Sequence, residues 1–143
     1  MVAKKHPSQR KSVSKKPNYA FIDNENVNIS VQKQWRKMDR GKLIKWLRKE
    51  YKVKKAYMFM GYLETYQPMY DFFESLGYTL IFKQMNPNPN IPNKWNVDAE
   101  LVLQAMIDYR AYYQAVIVSG DGDFACLMRY LHGRNKLWQV IVP

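Results

Sequence analysis

Apolar positions in this chain come in short, nearly unbroken runs rather than in strict alternation. Tyr19-Ala20-Phe21-Ile22 ends at Asp23, residues 56–60 and 115–118 are apolar throughout, and residues 78–82 and 137–142, broken only by Thr79 and Gln139, complete the series. Such short runs read as buried strands. Between them the period shifts to that of a helix. Asp39 is placed to cap a helix running to about Tyr51, with Leu43, Ile44, Leu47 and Tyr51 as its apolar stripe and Lys42, Lys45 and Lys49 on another face. Pro68 opens a helix through Leu76, and Gly77 stops it. Residues 98–110 predict a helix with Val102, Leu103, Met106 and Ile107 in its core stripe, and Asp123 is placed to cap another that runs to His132, with Gly133 as its stop. Asn86-Pro87-Asn88-Pro89-Asn90-Ile91-Pro92-Asn93 predicts a loop.

Strands that alternate with helices, and are apolar on both sides, argue for a mostly parallel sheet covered on both faces. Right-handed crossovers then give a doubly wound, Rossmann-like three-layer α/β/α sandwich of about five strands in the order 3-2-1-4-5. In such folds ligands bind at the carboxyl ends of strands, beside the point where strand order reverses. Asp23 ends the first strand and Asp121 follows the fourth, and these strands are neighbours at the reversal. Asp123 stands two residues further on. Asp98 begins the helix before the fourth strand and reaches the same rim only if its loop folds back.

Taken singly, each acid has an ordinary explanation. Asp98 and Asp123 suit helix caps, and Asp121-Gly122 suits a turn. Gathered at one rim, the carboxylates repel one another, and a bound divalent cation is the simplest relief. An all-oxygen donor set without His or Cys suits Mg2+ or Mn2+ rather than zinc. An ion of that kind supports hydrolysis of a phosphodiester.

Composition narrows the field. The 143 residues make one domain, and 47% hydrophobic with 15% aromatic residues excludes disorder for most of the chain. The single cysteine, Cys126, excludes a disulfide framework and a multi-cysteine zinc site; among Phe124, Leu127 and Met128 it reads as a core thiol. No apolar run has membrane-spanning length, and no apolar stretch backs the basic N-terminus as in a secretory signal, so a cytoplasmic location is expected. No Walker A loop, G-x-G-x-x-G loop or nucleophilic triad is present.

The net charge of +11 is uneven. Residues 1–16 carry +6, residues 33–55 carry +9, and the remainder is mildly acidic at −4. Residues 1–17 are expected to form a disordered basic tail and residues 18–143 the folded domain. The basic segment is either a solvated helix face or a polyanion footprint. On the second reading Lys42, Lys45 and Lys49, with Lys33, Arg36 and Lys37 ahead of them, track a nucleic-acid backbone, and Lys94 in the Asn/Pro loop contacts substrate. Trp35 and Trp95 lie in polar stretches and suit stacking on unpaired bases, whereas Tyr62 reads as ordinary packing.

Three segments carry a family likeness. Phe21-Ile22-Asp23-Asn24-Glu25-Asn26-Val27-Asn28, Asn96-Val97-Asp98-Ala99-Glu100-Leu101 and Val118-Ser119-Gly120-Asp121-Gly122-Asp123-Phe124 resemble, in order and spacing, the NYN domain, the LabA-like branch of the PIN-like nuclease superfamily. The resemblance spans residues 19–142 and implies a PIN-like α/β/α fold with metal-dependent ribonuclease activity. It implies acidic metal-binding positions at Asp23, Asp98, Asp121 and Asp123, and so brings Asp98 into the site. Asn26 matches a site-shaping Asn after the first acid, with Asn24 beside it, and Ser119 matches the small hydroxyl residue before the Gly-Asp pair. Related domains usually continue past the last strand, whereas this chain stops at Pro143, as a minimal form or a fragment. The expected function is therefore a Mg2+- or Mn2+-dependent endoribonuclease acting on single-stranded RNA. The alternative is a non-catalytic RNA-binding or adaptor domain. No membrane partner is expected, and a homodimer is one option for the oligomeric state.

Overall fold

In the computed structural model, residues 16–24, 39–86, 88, 90–92 and 96–143 are described. Among these residues the strands are β1 (Asn18–Asp23), β2 (Val53–Gly61), β3 (Thr79–Lys83), β4 (Ala115–Val118) and β5 (Leu137–Ile141), and the α-helices are α1 (Arg40–Tyr51), α2 (Gln67–Leu76), α3 (Asp98–Ile107) and α4 (Ala125–Gly133). All four strand pairings are parallel, and the order is β3-β2-β1-β4-β5. The predicted doubly wound sandwich and its strand order are what the chain adopts.

The strand side chains alternate between two cores. Ala20, Ile22, Met58, Met60, Val116 and Val118 pack with Leu43, Ile44 and Leu47 of α1 and Tyr70 and Phe73 of α2. Phe21, Tyr57, Phe59, Ala115 and Ile117 face the other way, toward Leu101 and Ala105 of α3 and Leu127 and Leu131 of α4. A central strand buried on both faces has no polar side, so its sequence reads as a continuous apolar run. At the amino ends of the strands, Asn18 donates to the Tyr51 carbonyl at 2.7 Å and accepts from the Gln114 N–H at 3.1 Å. The strand start is thereby tied to two connections.

Local chemistry sets the helix ends. Asp39 caps α1, accepting from the Gly41 and Lys42 N–H groups at 2.8 and 3.1 Å. Gly77 closes α2 at φ 109°, a left-handed conformation that costs a residue with a Cβ. A Cβ there would also meet the Arg48 guanidinium, which is the mobile end of its side chain and can yield. Gly77→Ala is therefore expected to cost about 1 kcal/mol. A thermal midpoint about 4 °C lower would report it; an unchanged midpoint would contradict it.

Three sequence expectations are corrected. The core stripe of α3 is Val97, Leu101 and Ala105, with Val102 partly buried, whereas Leu103, Met106 and Ile107 are exposed. This helix is apolar around most of its circumference, so its period permits two stripes. On the buried side, Tyr112 is fully buried and its phenol donates to the Ala105 carbonyl at 2.9 Å. Cys126 is exposed rather than a core thiol, because the buried line on that helix runs through Phe124, Leu127 and Leu131. Finally, Asp121 rather than Asp123 is the cap: its Oδ1 accepts from the Asp123 N–H at 2.8 Å and starts a short 3-10 turn, Gly122–Phe124, ahead of α4.

Candidate metal centre

The carboxyl ends of β1 and β4 lie side by side, with Ile22 opposite Val118. The next residues, Asp23 and Ser119, therefore emerge together at the rim. Asp23 is buried. Its Oδ2 accepts from the Ser119 hydroxyl at 3.2 Å, and the same hydroxyl accepts from the Asp121 N–H at 3.0 Å. One Ser side chain thus links two acid-bearing segments. The Ser119 N–H in turn donates to the Ile141 carbonyl at 3.0 Å, which anchors this turn to β5.

The third acid comes from a helix rather than from a strand end. Asp98 is the first residue of α3, and its helix is pinned to the sheet through Leu101 and Ala105. One carboxylate oxygen from each of Asp23, Asp98 and Asp121 lies within 4.8 Å of the others. Asp98 thus stands at the same rim as Asp23 and Asp121. Asp123 stands outside that trio and is exposed, yet close enough for its charge to act on Asp98. Asp98 is no N-cap; that position belongs to Val97.

The electrostatics are those of crowded acids. The Asp98 carboxyl is pushed above its ordinary value, first by burial and then by the charges of Asp121 and Asp123. A hydrogen bond from Asn96 and the charge of Lys83 pull the other way. Asp98 therefore holds its proton more firmly in the folded state than in the unfolded one, so stability falls as pH rises through its folded pKa. Asp98→Asn removes that penalty. The metal-free variant is expected to melt higher than the unsubstituted protein at neutral pH, with the difference vanishing below the usual carboxylate range. Melting curves recorded in EDTA across that span check it, and a variant less stable at neutrality would refute it.

The remaining sequence candidates fall into two groups. Asn24 is buried, and its Oδ1 accepts from Arg40 Nη2 at 3.0 Å, so it joins the end of β1 to the start of α1. Lys42, Lys45 and Lys49 are exposed along one face of α1. Tyr62 packs against Tyr70 and Phe82, with ring centroids 5.4 and 5.1 Å away, as expected of a packing residue. Asn26, Lys94, Trp35 and Trp95 lie outside the described residues, as do Lys33, Arg36, Lys37 and the tail at residues 1–15.

Two residues near the acids were given no role by sequence reasoning. Lys83 ends β3 at the same rim, and Asn96 precedes Asp98 by two positions. The signals that could have found them are the strand-end position of Lys83 and the Asn-x-Asp spacing. An open apolar cavity of about 400 Å3 lies between α1 and the ends of β4 and β5. Asp39, Lys42, Leu43, Trp46, Val118, Ile141, Val142 and Pro143 line it, and none of the clustered acids does.

The donor set fits a hard divalent cation: three carboxylates, only oxygen, and no His or Cys among them. Acids gathered where the strand order of a doubly wound sheet reverses stand where such folds bind their ligands. Residues 19–143 match the NYN domain, and the chain belongs to that family, part of the PIN-like nuclease superfamily. NYN domains are generally nucleases, and the family acts on RNA. The fold is similar to the crystal structure of a protein of unknown function from Vibrio parahaemolyticus, with a TM-score of 0.73 and 17% sequence identity over 89% of this chain and 93% of that one. At that identity the likeness speaks for the fold alone. No curated protein matches the chain. Among the described residues, no helix is long and apolar enough to cross a membrane.

Proposed function

We propose that this chain is an endoribonuclease that hydrolyses phosphodiester bonds in single-stranded RNA, with Mg2+ or Mn2+ held by Asp23, Asp98 and Asp121 and with Asp123 beside them. The observation that carries the reading is the meeting of three carboxylates, from three distant stretches of chain, within 4.8 Å. A module that only binds polyanions gains nothing from gathering negative charge at its rim. When bound, such an ion would supply a Lewis acid for the phosphate and would lower the pKa of a water held beside it.

The chain's own groups do the rest. Ser119 fixes the mutual position of Asp23 and the Asp121 turn through two hydrogen bonds, so these donors are ordered before any ligand arrives. Lys42, Lys45 and Lys49 lie exposed in a row on α1 and suit the phosphates leading to the acids. Lys94, Trp35 and Trp95 complete the proposal as further contacts, the indoles stacking on unpaired bases. The cytoplasm is the proposed compartment, since the one cysteine is free and exposed and the chain needs no oxidising environment.

The test is incubation of the purified chain with end-labelled single-stranded RNA, and with DNA of the same sequence, in Mn2+, Mg2+ or EDTA. Internal cuts in RNA that depend on the metal and cease in EDTA are expected. RNA binding without turnover would assign the chain to the adaptor class, and equal cleavage of DNA would remove the preference for RNA.

A further inference from the structure

Asp98 lacks the support the other two acids share. Asp23 and the Asp121 turn are joined through Ser119 on adjacent strands, whereas Asp98 comes in at the end of a long connection from β3. Asn96 grips it twice. Its Nδ2 donates to Asp98 Oδ2 at 3.1 Å, and its Oδ1 accepts from the Asp98 N–H at 2.7 Å. The second bond satisfies one of the free N–H groups at the start of α3, where Val97 offers no side-chain cap. Asn96 is held in its turn: Lys83 Nζ donates to its main-chain carbonyl at 2.6 Å, across 13 positions of sequence. Lys83 is well anchored, because it ends β3 opposite Gly61 of β2.

We propose that Lys83 and Asn96 form a clasp that closes the base of the Asn/Pro loop and sets the Asp98 carboxylate for a divalent cation. Both are positioning residues; neither is a ligand. The inference rests on the reading that Asp23, Asp98 and Asp121 hold the ion, and it adds what aims the third donor. Groups that orient metal ligands typically change metal affinity by about ten-fold or more when removed.

The charge on Lys83 makes the proposal sharply testable. An ammonium beside a cation site opposes cation binding by simple repulsion. If Lys83 acted through charge alone, Lys83→Met would bind Mn2+ more tightly. As a clasp, its loss loosens Asn96, and binding weakens.

The experiment is calorimetric titration of Mn2+ into the unsubstituted protein, Lys83→Met, Asn96→Ala and the double variant, with amide hydrogen exchange at Asp98 measured in EDTA. Asn96→Ala is expected to weaken binding by about ten-fold. Lys83→Met is expected to weaken it by about three-fold, the scale of an exposed charged contact. The double variant should be no weaker than Asn96→Ala, because Lys83 supports Asp98 only through Asn96, and its direct charge only opposes the cation. In Lys83→Met the Asp98 amide should exchange faster although its own acceptor is intact. Unchanged or tighter Mn2+ binding by Lys83→Met, additive losses in the double variant, or an unaltered Asp98 amide would overturn the clasp while leaving the nuclease reading in place. Failure of the unsubstituted protein to bind Mn2+ would overturn both.

Discussion

Replacing Asp121 with Asn is expected to slow RNA cleavage by roughly a thousand-fold or more while leaving RNA affinity nearly intact. The rate estimate follows from losing several kcal/mol of transition-state stabilisation, at about 1.4 kcal/mol per factor of ten. Affinity survives because the phosphate contacts proposed for α1 are untouched. The substitution is structurally mild: Asp121 also caps the 3-10 turn by accepting from the Asp123 N–H, and Asn keeps an oxygen for that bond. Cleavage assays with a filter-binding control read both quantities. Undiminished cleavage would strip the acid cluster of its metal role, and lost affinity with normal turnover would make Asp121 a substrate contact instead.

The second large effect concerns salt. Each phosphate neutralised on a single strand contributes about −0.7 to the slope of log affinity against log salt. Reversing Lys42, Lys45 and Lys49 to Glu should therefore flatten that slope by roughly two units. The three side chains are exposed and stand off the buried line of Leu43, Ile44 and Leu47, so the core is left alone. Lys49→Glu does place a negative charge in the last helical turn, where the helix dipole disfavours it, so circular dichroism should accompany the titration. A slope that does not move would make this face of α1 plain solvated surface.

Much of the architecture was legible in the chain. Strands buried on both faces announce themselves as apolar runs, and the handedness of crossovers leaves few orders for five parallel strands. Asp23 and Asp121 followed from that order, because a residue just past the end of a strand has nowhere else to go. Asp98 was harder. Its place depends on how a loop rich in Asn and Pro returns to the sheet, which no periodicity encodes, and only the family likeness put it at the rim. The stripe on α3 is not legible because Leu101, Val102 and Leu103 are all apolar, and which of them is buried depends on packing against residues beyond the helix, such as Tyr112. Cys126 was misread for a related reason: three apolar neighbours do not say which side of a helix faces inward. Lys83 and Asn96 carry only faint signals, a strand-end position and an Asn-x-Asp spacing, and their pairing carries none, since it joins a side chain to a main-chain carbonyl, which any residue supplies.

The bridge through Ser119 also has a meaning for biosynthesis. It spans 96 positions of sequence, and β1, the first strand to be made, finds its neighbour β4 only after most of the chain exists. Domains form as units while the ribosome adds residues one by one. A growing polypeptide therefore carries Asp23 long before its companions emerge, and whatever reaction the gathered acids perform is withheld until translation has passed the fourth strand.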